Sequence, residues 1–424
     1  MAQNMMAQNM MMRGMMMRFK PLSWYGFVLT CLMGVGFCVF LSGCGFFKGP
    51  EELSQLPLIK VAPRNYPQFF DSRSFEGLAR SIDQSLIYFK RVPLSRKYTY
   101  EKDIFDAGHM IRTLERFQAL LAENPSPVEL NARIKEEFLV YKSAGVDAGE
   151  VLFTGYYEPT YRGSLEQGST YVFPLYSTPM DLVQIDLSLF SDEYKGHKRL
   201  RARLNPDTRR VIPYYSREEI NNIPDFMDRA EPVAWLESRV DRFFLEIQGS
   251  GRVTLEQGGQ LRIHYAGSNG NAYRSVGRYL IKKNEIAKQD MSMQAIREWL
   301  ENNPNRVDEV LHYNESFVFF KTEEGGPFGS INVEVTPLRS IATDQRLFPN
   351  GALCFVQAAL PDPDLLEPLE QWEKTSLFVL NQDTGGAIKG SGRADLFCGN
   401  GPYAEFTAGH MNTRGQLYFL VLKP

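Results

Sequence analysis

Apolar residues recur at helical spacing in the part of the chain that follows residue 65. Side chains three or four residues apart lie on one face of a helix, and a proline between two such segments separates them. The pattern therefore predicts three helices before residue 140. Their apolar positions are Leu78, Ile82, Leu86 and Phe89, then Met110, Ile111, Leu114, Phe117 and Leu121, and finally Leu130, Ile134 and Phe138.

From Val151 the pattern changes to short apolar or aromatic runs bounded by Gly, Pro and Asn, which is typical of strands and turns. Two helical segments interrupt it, and strands and helices do not alternate as a doubly wound sheet requires. We expect a mainly β fold, a β-barrel with added helices, and no solenoid repeat. The predicted strand regions are VLFTGYYEPTYRGS, RFFLEIQGSGRVTL, QLRIHYAGS, SFVFFKT, INVEVTP, ALCFVQAAL, SLFVLNQ and QLYFLVLKP, and the helical ones are YRSVGRYLIKKNEI and MSMQAIREWLENN.

The N-terminus has the pattern of an export signal. Residues 1–20 carry basic but no acidic side chains, and an apolar run follows from Trp24 to Leu41. The run ends in Leu41-Ser42-Gly43-Cys44, which resembles the bacterial lipobox, where the cysteine becomes the lipid-carrying first residue. We expect a signal peptide over residues 1–43 and a proline-containing tether over residues 44–65. An uncleaved membrane anchor is the alternative.

Two further expectations follow from the same region. Gly45 stands where an inner-membrane retention signal would have Asp, so the predicted location is the periplasmic face of the outer membrane, with Cys44 as the lipid attachment. Of the five cysteines, only Cys354 and Cys398 lie beyond this region. Exported proteins can form disulfides, and the sequence leaves open whether these two pair.

Composition narrows the choice of partner. The 424 residues leave room for two domains, and 47 basic against 50 acidic residues give a net charge of -3. That balance offers no reason to expect nucleic acid as a partner. The aromatic content of 12% suits many strands, a sugar-binding groove, or both.

The sequence lacks the motifs of several common kinds of functional site. Lys389 lies in a glycine-rich run but precedes Gly390, whereas a phosphate-binding loop ends in Gly-Lys-Ser/Thr. The histidines are dispersed, so no metal site and no metal cofactor are predicted. The run Gln248-Gly249-Ser250-Gly251 lacks the first glycine of a nucleophile elbow.

Carboxylates remain, in QDTGGAIKGSGRADLFCG over residues 382–399. Asp395 precedes Leu396 and Phe397, and apolar surroundings raise a carboxyl pKa as a general acid requires. Asp383 lies in a more polar local sequence. From the residues alone, an acid/base pair, a cation site and ordinary turn residues all stay open.

A set of motifs in a fixed order then carries a resemblance. They are Phe153-Thr154-Gly155-Tyr156-Tyr157-Glu158-Pro159, Gln248-Gly249-Ser250-Gly251, Tyr265-Ala266-Gly267-Ser268-Asn269-Gly270, Tyr273-Arg274-Ser275-Val276-Gly277 and the glycine-rich run. From about Val151 to the C-terminus the chain resembles the membrane-bound lytic murein transglycosylase A family. The C-terminal third also resembles a domain named for three aspartates, which map to Asp344, Asp383 and Asp395.

The resemblance implies a fold and a reaction. A double-psi β-barrel is expected from residues 66–160 and 285–424, with a smaller β-domain inserted over residues 161–284 and glycan in the groove between them. The implied reaction cleaves the β-1,4 bond between N-acetylmuramic acid and N-acetylglucosamine in peptidoglycan and leaves 1,6-anhydromuramic acid ends. It uses no cofactor, and cell-wall synthesis or division proteins are possible partners.

The resemblance also implies site residues, with Asp395 as the acid that then acts as base. Cys398 stands where a bulkier residue is expected. The substrate-binding residues implied are Asp383, Asp344, Gln248, Ser250, Thr154, Tyr156, Tyr157, Asn269, Tyr273 and Lys389.

A single carboxylate is chemically sufficient if the substrate's own C6 hydroxyl attacks, because no water then needs activation. Ordinary glycosidases use two carboxyl groups. A hydrolytic muramidase, with Asp383 or Glu158 activating water, is therefore the alternative enzyme. A non-catalytic glycan-binding protein is the alternative of another class.

Overall fold

The computed structural model describes residues 56–147, 149–195, 199–362 and 372–424. Leu56–Pro424 forms one compact unit with its own hydrophobic core, so this part is expected to fold without the residues before it. The predicted signal peptide, Cys44 and the first part of the predicted tether lie outside the described residues. Among the helices of these ranges, none has the length and apolar content needed to cross a bilayer.

Most of the described strands have three to six residues, and four have nine or more. In chain order they are β1 (Leu58–Lys60), β2 (Lys97–Tyr100), β3 (Asp103–Asp106), β4 (Phe138–Ser143), β5 (Val151–Tyr156), β6 (Thr160–Ser164), β7 (Phe173–Tyr176), β8 (Val183–Ile185), β9 (Leu200–Leu204), β10 (Val211–Pro213), β11 (Pro232–Leu236), β12 (Ser250–Leu255), β13 (Gln260–Ser268), β14 (Val318–Thr322), β15 (Ser340–Ala342), β16 (Leu353–Pro361), β17 (Trp372–Asp383), β18 (Arg393–Phe397) and β19 (Asn412–Leu422).

The helices fall in three groups, before β4, between β10 and β14, and before β19. In chain order they are α1 (Leu78–Arg91), α2 (Ala107–Ala122), α3 (Pro127–Glu137), α4 (Arg217–Asn222), α5 (Arg239–Gln248), α6 (Val276–Lys282), α7 (Met293–Asn302), α8 (Val307–His312) and α9 (Pro402–His410).

Six strands close into a barrel because β5 is hydrogen-bonded on both sides. The ring runs β5, β19, β16, β17, β15, β18 and back to β5. The pairs β15–β17 and β18–β5 are parallel, and the other pairs are antiparallel. Phe153, Leu380 and Phe419 are fully buried in the main core. The predicted mainly β fold with a barrel and added helices is confirmed.

A second sheet is built from β14, β13, β12, β6, β11 and β7, in that order. Its core contains Val253, Ile263 and Phe320 together with Leu245 of α5. Its edge strand β14 lies beyond residue 284, where the sequence places the end of the inserted domain, and the domain limits stay a prediction. A separate small sheet pairs β9 with β10 and β8, and β2 pairs with β3.

The three N-terminal helices form where the sequence predicts them. Their apolar faces join the main core, with Leu78, Phe117 and Ile134 fully buried. The Asp106 side chain accepts a hydrogen bond from the His109 backbone at the start of α2. Ser126 begins α3 with a capping box, which satisfies backbone donors that the helix itself cannot.

One strand prediction is wrong, since RFFLEIQ forms most of α5. Ser238 begins this helix by accepting hydrogen bonds from two backbone N–H groups, and Gly249 ends it with φ 79°. Phe243 and Phe244 pack among the neighbouring helices, whereas Leu245 packs on the second sheet. Because apolar residues are buried on more than one side, the run does not show the helical period.

Two other predictions need correction. INVEVTP, residues 331–337, is a loop: Asn332 has φ 56°, and the Glu334 side chain accepts from the Gly326 backbone instead of leaving the segment to pair as a strand. The fold also begins inside the predicted tether. Leu58 is fully buried, and β1 pairs with β4.

A buried ion pair fastens the segment before α1 to the barrel. The Asp71 carboxylate lies 2.5 Å from the Arg339 guanidinium, and both side chains are almost fully buried. Asp71 also accepts from the backbone of Phe378 in β17, and Arg339 donates to the carbonyl of Glu76. Each charge therefore has its partner and further hydrogen bonds, which a buried ion pair requires.

We expect Asp71→Ala to lower the free energy of unfolding by about 3–5 kcal/mol, because Arg339 would be left buried without its counter-ion. Urea denaturation of residues 56–424 measures the change. The matched control is Asp192→Ala, which breaks an exposed pair with Lys195 and should change stability by less than about 0.5 kcal/mol. Equal effects in the two variants would contradict this role for Asp71.

Candidate active site

The strand register brings Asp383 and Asp395 to either side of one residue. Ala342 of β15 pairs with Asp383 at the end of β17 and with Asp395 in β18. Asp395 pairs in turn with Thr154 of β5. Because residues paired across strands point to the same side of a sheet, these side chains share one face of the barrel wall.

Asp395 is held by a hydroxyl and lies near a positive charge. The Thr154 hydroxyl donates a short hydrogen bond to Asp395 Oδ1. The Arg393 guanidinium lies 3.6 Å from the same oxygen and donates to Thr154 Oγ1 at 3.0 Å. Burial raises the pKa of the Asp395 carboxyl above its ordinary value, while the Thr154 hydrogen bond and the Arg393 charge act in the opposite direction. The groups in contact with the carboxyl are therefore polar, and the apolar surround from Leu396 and Phe397 stays a prediction.

Asp383 is half-buried, as Asp395 is, which the sequence did not predict. Its Oδ1 accepts hydrogen bonds from the backbone N–H groups of Ser330 and Thr384, both at 2.8 Å. Burial, to which the charge of Asp395 adds, raises the pKa of Asp383 to about 6. The polar residues beside Asp383 in sequence do not offset this burial, because the strand ends inside the fold. The two carboxyls interact, so their titration belongs to the pair.

Tyr156 lies on the same strand as Thr154 and on the same face. Its hydroxyl is buried, and burial, Asp383 and then Asp395 together raise the pKa of this hydroxyl well above its ordinary value. Its ring packs on Phe397, with 5.1 Å between the ring centroids. The Tyr156 hydroxyl therefore stays protonated beside both carboxyls.

Asp344 has a different setting from the other two aspartates. Both of its oxygens accept from the Arg346 guanidinium, at 2.9 and 2.6 Å, and Oδ2 also accepts from the Gly390 backbone at 3.0 Å. The Arg346 hydrogen bonds hold the pKa of Asp344 well below its usual range. Asp344 is thus a permanently ionised group that fixes the glycine-rich loop, and it does not exchange protons near neutral pH.

The glycines of this loop serve its turns. Gly390 has φ 82°, a conformation that suits glycine and lets its N–H reach Asp344. A Cβ on Gly392 would lie 2.7 Å from Val146. Lys389 is exposed on the same loop. The loop therefore sets the position at which β18 begins, and with it that of Asp395.

Two of the residues implied as substrate-binding have structural contacts instead. Asn269 is buried, donates to the carbonyls of Tyr215 and Glu315, and accepts from the backbone of Phe317. Tyr157 is buried as well, in a small cluster with Cys398. Neither side chain presents a surface to a ligand in this conformation.

Gln248, Ser250 and Tyr273 lie closer to the surface. Gln248 Oε1 accepts from the Tyr157 backbone at 3.1 Å, which brings the end of α5 near the end of β5. Ser250 is half-buried at the start of β12. Tyr273 is 39% exposed. Partial burial raises the pKa of its hydroxyl, and the positive charge of Arg393 acts in the opposite direction. These three positions remain predictions as sugar contacts.

Sequence reasoning missed two contributors to the site. Arg393 lies two residues before Asp395, and strand alternation predicts that the two share a face. Ser330 gives no comparable signal, because a loop distant in sequence brings its N–H to Asp383. Both remaining cysteines, Cys354 and Cys398, are buried and free.

Comparison with known proteins agrees with this architecture. Two family models match the chain, the MltA specific insert domain over residues 152–321 and the 3D domain over residues 339–421. A membrane-bound lytic murein transglycosylase A of Escherichia coli K12 is 33% identical over 279 residues, which cover 65% of this chain and 67% of the relative. That of Vibrio cholerae is 31% identical over 286 residues, 66% of this chain and 67% of the relative.

Solved structures are similar along most of the length. A membrane-bound lytic murein transglycosylase from Agrobacterium tumefaciens has a TM-score of 0.69 at 26% identity and covers 87% of this chain and 98% of its own. Fold and site define an enzyme of the lytic transglycosylase class. The chain belongs to the membrane-bound lytic murein transglycosylase A family, as the sequence resemblance predicts. Escherichia coli MltA with bound chitohexaose has a TM-score of 0.66 at 27% identity, over 87% of this chain and 95% of its own.

We expect Thr154→Val to raise the pKa of Asp395 further, because the hydrogen bond that stabilises the ionised carboxylate is lost. Carbon-13 NMR titration of aspartate-labelled residues 56–424 measures the change. Thr154→Ser keeps a hydroxyl and should titrate like the wild type. Identical titrations for the valine variant and the wild type would show that Thr154 does not tune Asp395.

Proposed function

We propose that the protein cleaves the β-1,4 bond between N-acetylmuramic acid and N-acetylglucosamine in peptidoglycan and leaves 1,6-anhydromuramic acid ends. The observation that carries the proposal is a buried carboxyl, Asp395, with a raised pKa and a hydroxyl donor that holds it. Family membership supports the same reaction, and a related structure is named for its complex with chitohexaose, a chain of β-linked sugars.

In the first step, Asp395 gives its proton to the bridging oxygen as the bond from this oxygen to C1 of the muramic residue breaks. In the second step, the C6 hydroxyl of the same residue attacks C1, and the Asp395 carboxylate takes the hydroxyl proton. One bond breaks and one forms, the proton returns to Asp395, and no water is consumed. The attached nucleophile also gains from proximity, since it is already held beside C1.

The neighbours of Asp395 suit both of its proposed states. Burial favours the protonated acid before the first step, and the Thr154 hydrogen bond with the Arg393 charge stabilises the carboxylate after it. Asp383 and Tyr156 present further hydrogen-bonding groups on the same face, where we propose that they hold the substrate's sugar hydroxyls. Asp344 supports the site through the glycine-rich loop.

The structure disfavours one form of the hydrolytic alternative. Glu158 is buried, and its Oε2 accepts from Arg252 at 2.8 Å and from Asn400 at 3.3 Å. Because the Glu158 side chain is buried, water has little access to its carboxylate. Asp383 stays the candidate base for a hydrolase, so the products must decide between the two reactions.

We further propose that the enzyme is a lipoprotein attached through Cys44 to the periplasmic face of the outer membrane. The Leu-Ser-Gly-Cys sequence and Gly45 support this location, and the relatives are named as membrane-bound. The proposed domain division is a barrel from residues 66–160 and 285–424 with an inserted β-domain between them.

We expect Asp395→Asn to lower the rate of digestion of purified sacculi by roughly 10²–10⁴-fold, because the amide has no proton to transfer. Asp383→Asn is the matched control: it changes the other carboxyl on this face and should retain more activity.

Wild-type activity should fall as pH rises through the pKa of Asp395, because the protonated acid is lost by deprotonation. Soluble fragments quantified by mass spectrometry give the rates.

Three results would contradict the proposal. If Asp395→Asn digests sacculi at the wild-type rate, the catalytic group has been misassigned. If Asp383→Asn is the inactive variant and Asp395→Asn is not, the two roles are reversed. If the folded wild type releases nothing, the protein is a glycan-binding protein.

A further inference from the structure

The small sheet formed by β8, β9 and β10 has one apolar face. Register pairs Val183 with Ala202, Ile185 with Leu200, and Leu204 with Val211. Paired residues share a face, and so do residues two apart along a strand. The apolar face therefore consists of Val183, Ile185, Leu200, Ala202, Leu204, Val211 and Pro213.

Five of these seven residues are exposed, Ile185 is half-buried and Ala202 is buried, whereas Arg201 and Arg203 on the opposite face are half-buried. The Arg203 guanidinium lies 3.9 Å from the Tyr215 ring, and Arg201 is so close to Gly270 that a Cβ there would lie 2.5 Å from it. On the other side, Leu200 and Leu204 are each about half exposed, at 49% and 51%. A one-sided sheet of a soluble protein normally has the opposite arrangement.

Two larger apolar side chains extend this face beyond the end of β8. Leu189 is 84% exposed and Phe190 is 77% exposed, so both protrude from the surface. Their segment is held in place, because Asp186 accepts from the Ser188 backbone and pairs with Arg199 at 2.9 Å. Contiguous exposed apolar surface of this kind marks an interaction site.

The chain outside the described residues indicates what covers this surface. An apolar run and Cys44 precede the first strand, and the residues from 44 to 57 can span at most about 50 Å when extended. With the lipid attachment proposed at Cys44, the domain stays within reach of a bilayer, and the anchor by itself fixes no orientation of the domain.

The shape and charge of the patch favour a lipid surface over a protein. Protruding side chains such as Leu189 and Phe190 need a surface that deforms around them, as the boundary between headgroups and acyl chains does. Two nearby ion pairs join Lys195 to Asp192 at 2.8 Å and Arg199 to Asp186 at 2.9 Å, while Arg209 and Arg210 between β9 and β10 are exposed. Burial of apolar surface would then drive the contact, and the exposed arginines would add attraction to anionic headgroups.

We propose that the apolar face of the small sheet, with Leu189 and Phe190 at its tip, is a second membrane contact. These side chains enter the headgroup boundary of the phospholipid surface that holds the N-terminal anchor. An N-terminal anchor alone leaves the orientation of the domain open, and this contact selects one orientation. The proposal does not depend on the reaction that Asp395 performs.

The test uses residues 56–424, which lack the anchor and form a compact unit by themselves. Vesicles of phosphatidylethanolamine with about one quarter phosphatidylglycerol are floated through a density gradient with the protein at low salt and at about 0.5 M NaCl. Wild type should float with the vesicles at both salt concentrations. Leu189→Ser with Phe190→Ser should lower the partition coefficient by at least about tenfold, because two protruding apolar groups are removed.

The control removes equally exposed apolar groups elsewhere. Leu94→Ser with Val128→Ser changes side chains that are 63% and 80% exposed on the N-terminal helical side, and it should float like the wild type. All three proteins should cleave soluble glycan strands at the same rate, so a failure of the proposed reaction is distinguishable from a failure of membrane binding.

Three outcomes overturn the proposal. The first is a wild type that does not float, and the second is a tip variant that floats as well as wild type. The third is binding that vanishes at high salt, which would mean attraction by charge alone. If sedimentation shows a dimer that only the tip variant loses, and no vesicle binding, the surface belongs to a second copy and the membrane contact is rejected.

Discussion

The closure of the barrel by β5 is the constraint on which the site depends. This strand pairs in parallel with β18 and antiparallel with β19, so it holds the ring together at the position of Asp395. The same pairing places Thr154 opposite Asp395. Past Tyr156 the chain continues within four residues into β6 of the second sheet. One short segment therefore closes the barrel, supplies the Thr154 hydroxyl that contacts Asp395, and leads into the second sheet.

The three aspartates show how partners, not residue type, decide what a carboxyl can do. Arg346 and the loop backbone keep Asp344 ionised, so it is a fixed structural charge. Asp383 and Asp395 are half-buried on the two strands that flank β15, and desolvation raises the pKa of each. Keeping a carboxyl out of water destabilises its ionised form, a cost that the rest of the fold must offset. The Asp71–Arg339 ion pair is the contrasting case, because each of its buried charges lies beside a counter-ion.

Much of the fold and part of the candidate site could be predicted from the local sequence. The predictions that failed did so for physical reasons. Helical periodicity located α1 to α3, because each buries only one face. It failed for RFFLEIQ, because Phe243 and Leu245 are buried on different sides of α5. The local sequence identifies Asp395 as a candidate but not the Thr154 hydroxyl that holds it, because β5 brings that hydroxyl across the barrel wall. The raised pKa of Asp383 was not predictable from its polar neighbours in sequence, because the desolvation that causes it arises only in the folded barrel. Asn269 belongs to a recognisable motif, yet its hydrogen bonds show a structural role that the motif alone does not reveal.

In the proposed mechanism one carboxyl serves as acid and then as base, while the substrate supplies its own nucleophile. Digestion of sacculi in water enriched in oxygen-18, followed by mass spectrometry of the released muropeptides, distinguishes this mechanism from hydrolysis. No label should enter the cleaved ends, because C1 takes its new bond from O6 of the same sugar. One labelled oxygen for each cleaved bond would show that water is the nucleophile and would rule the mechanism out.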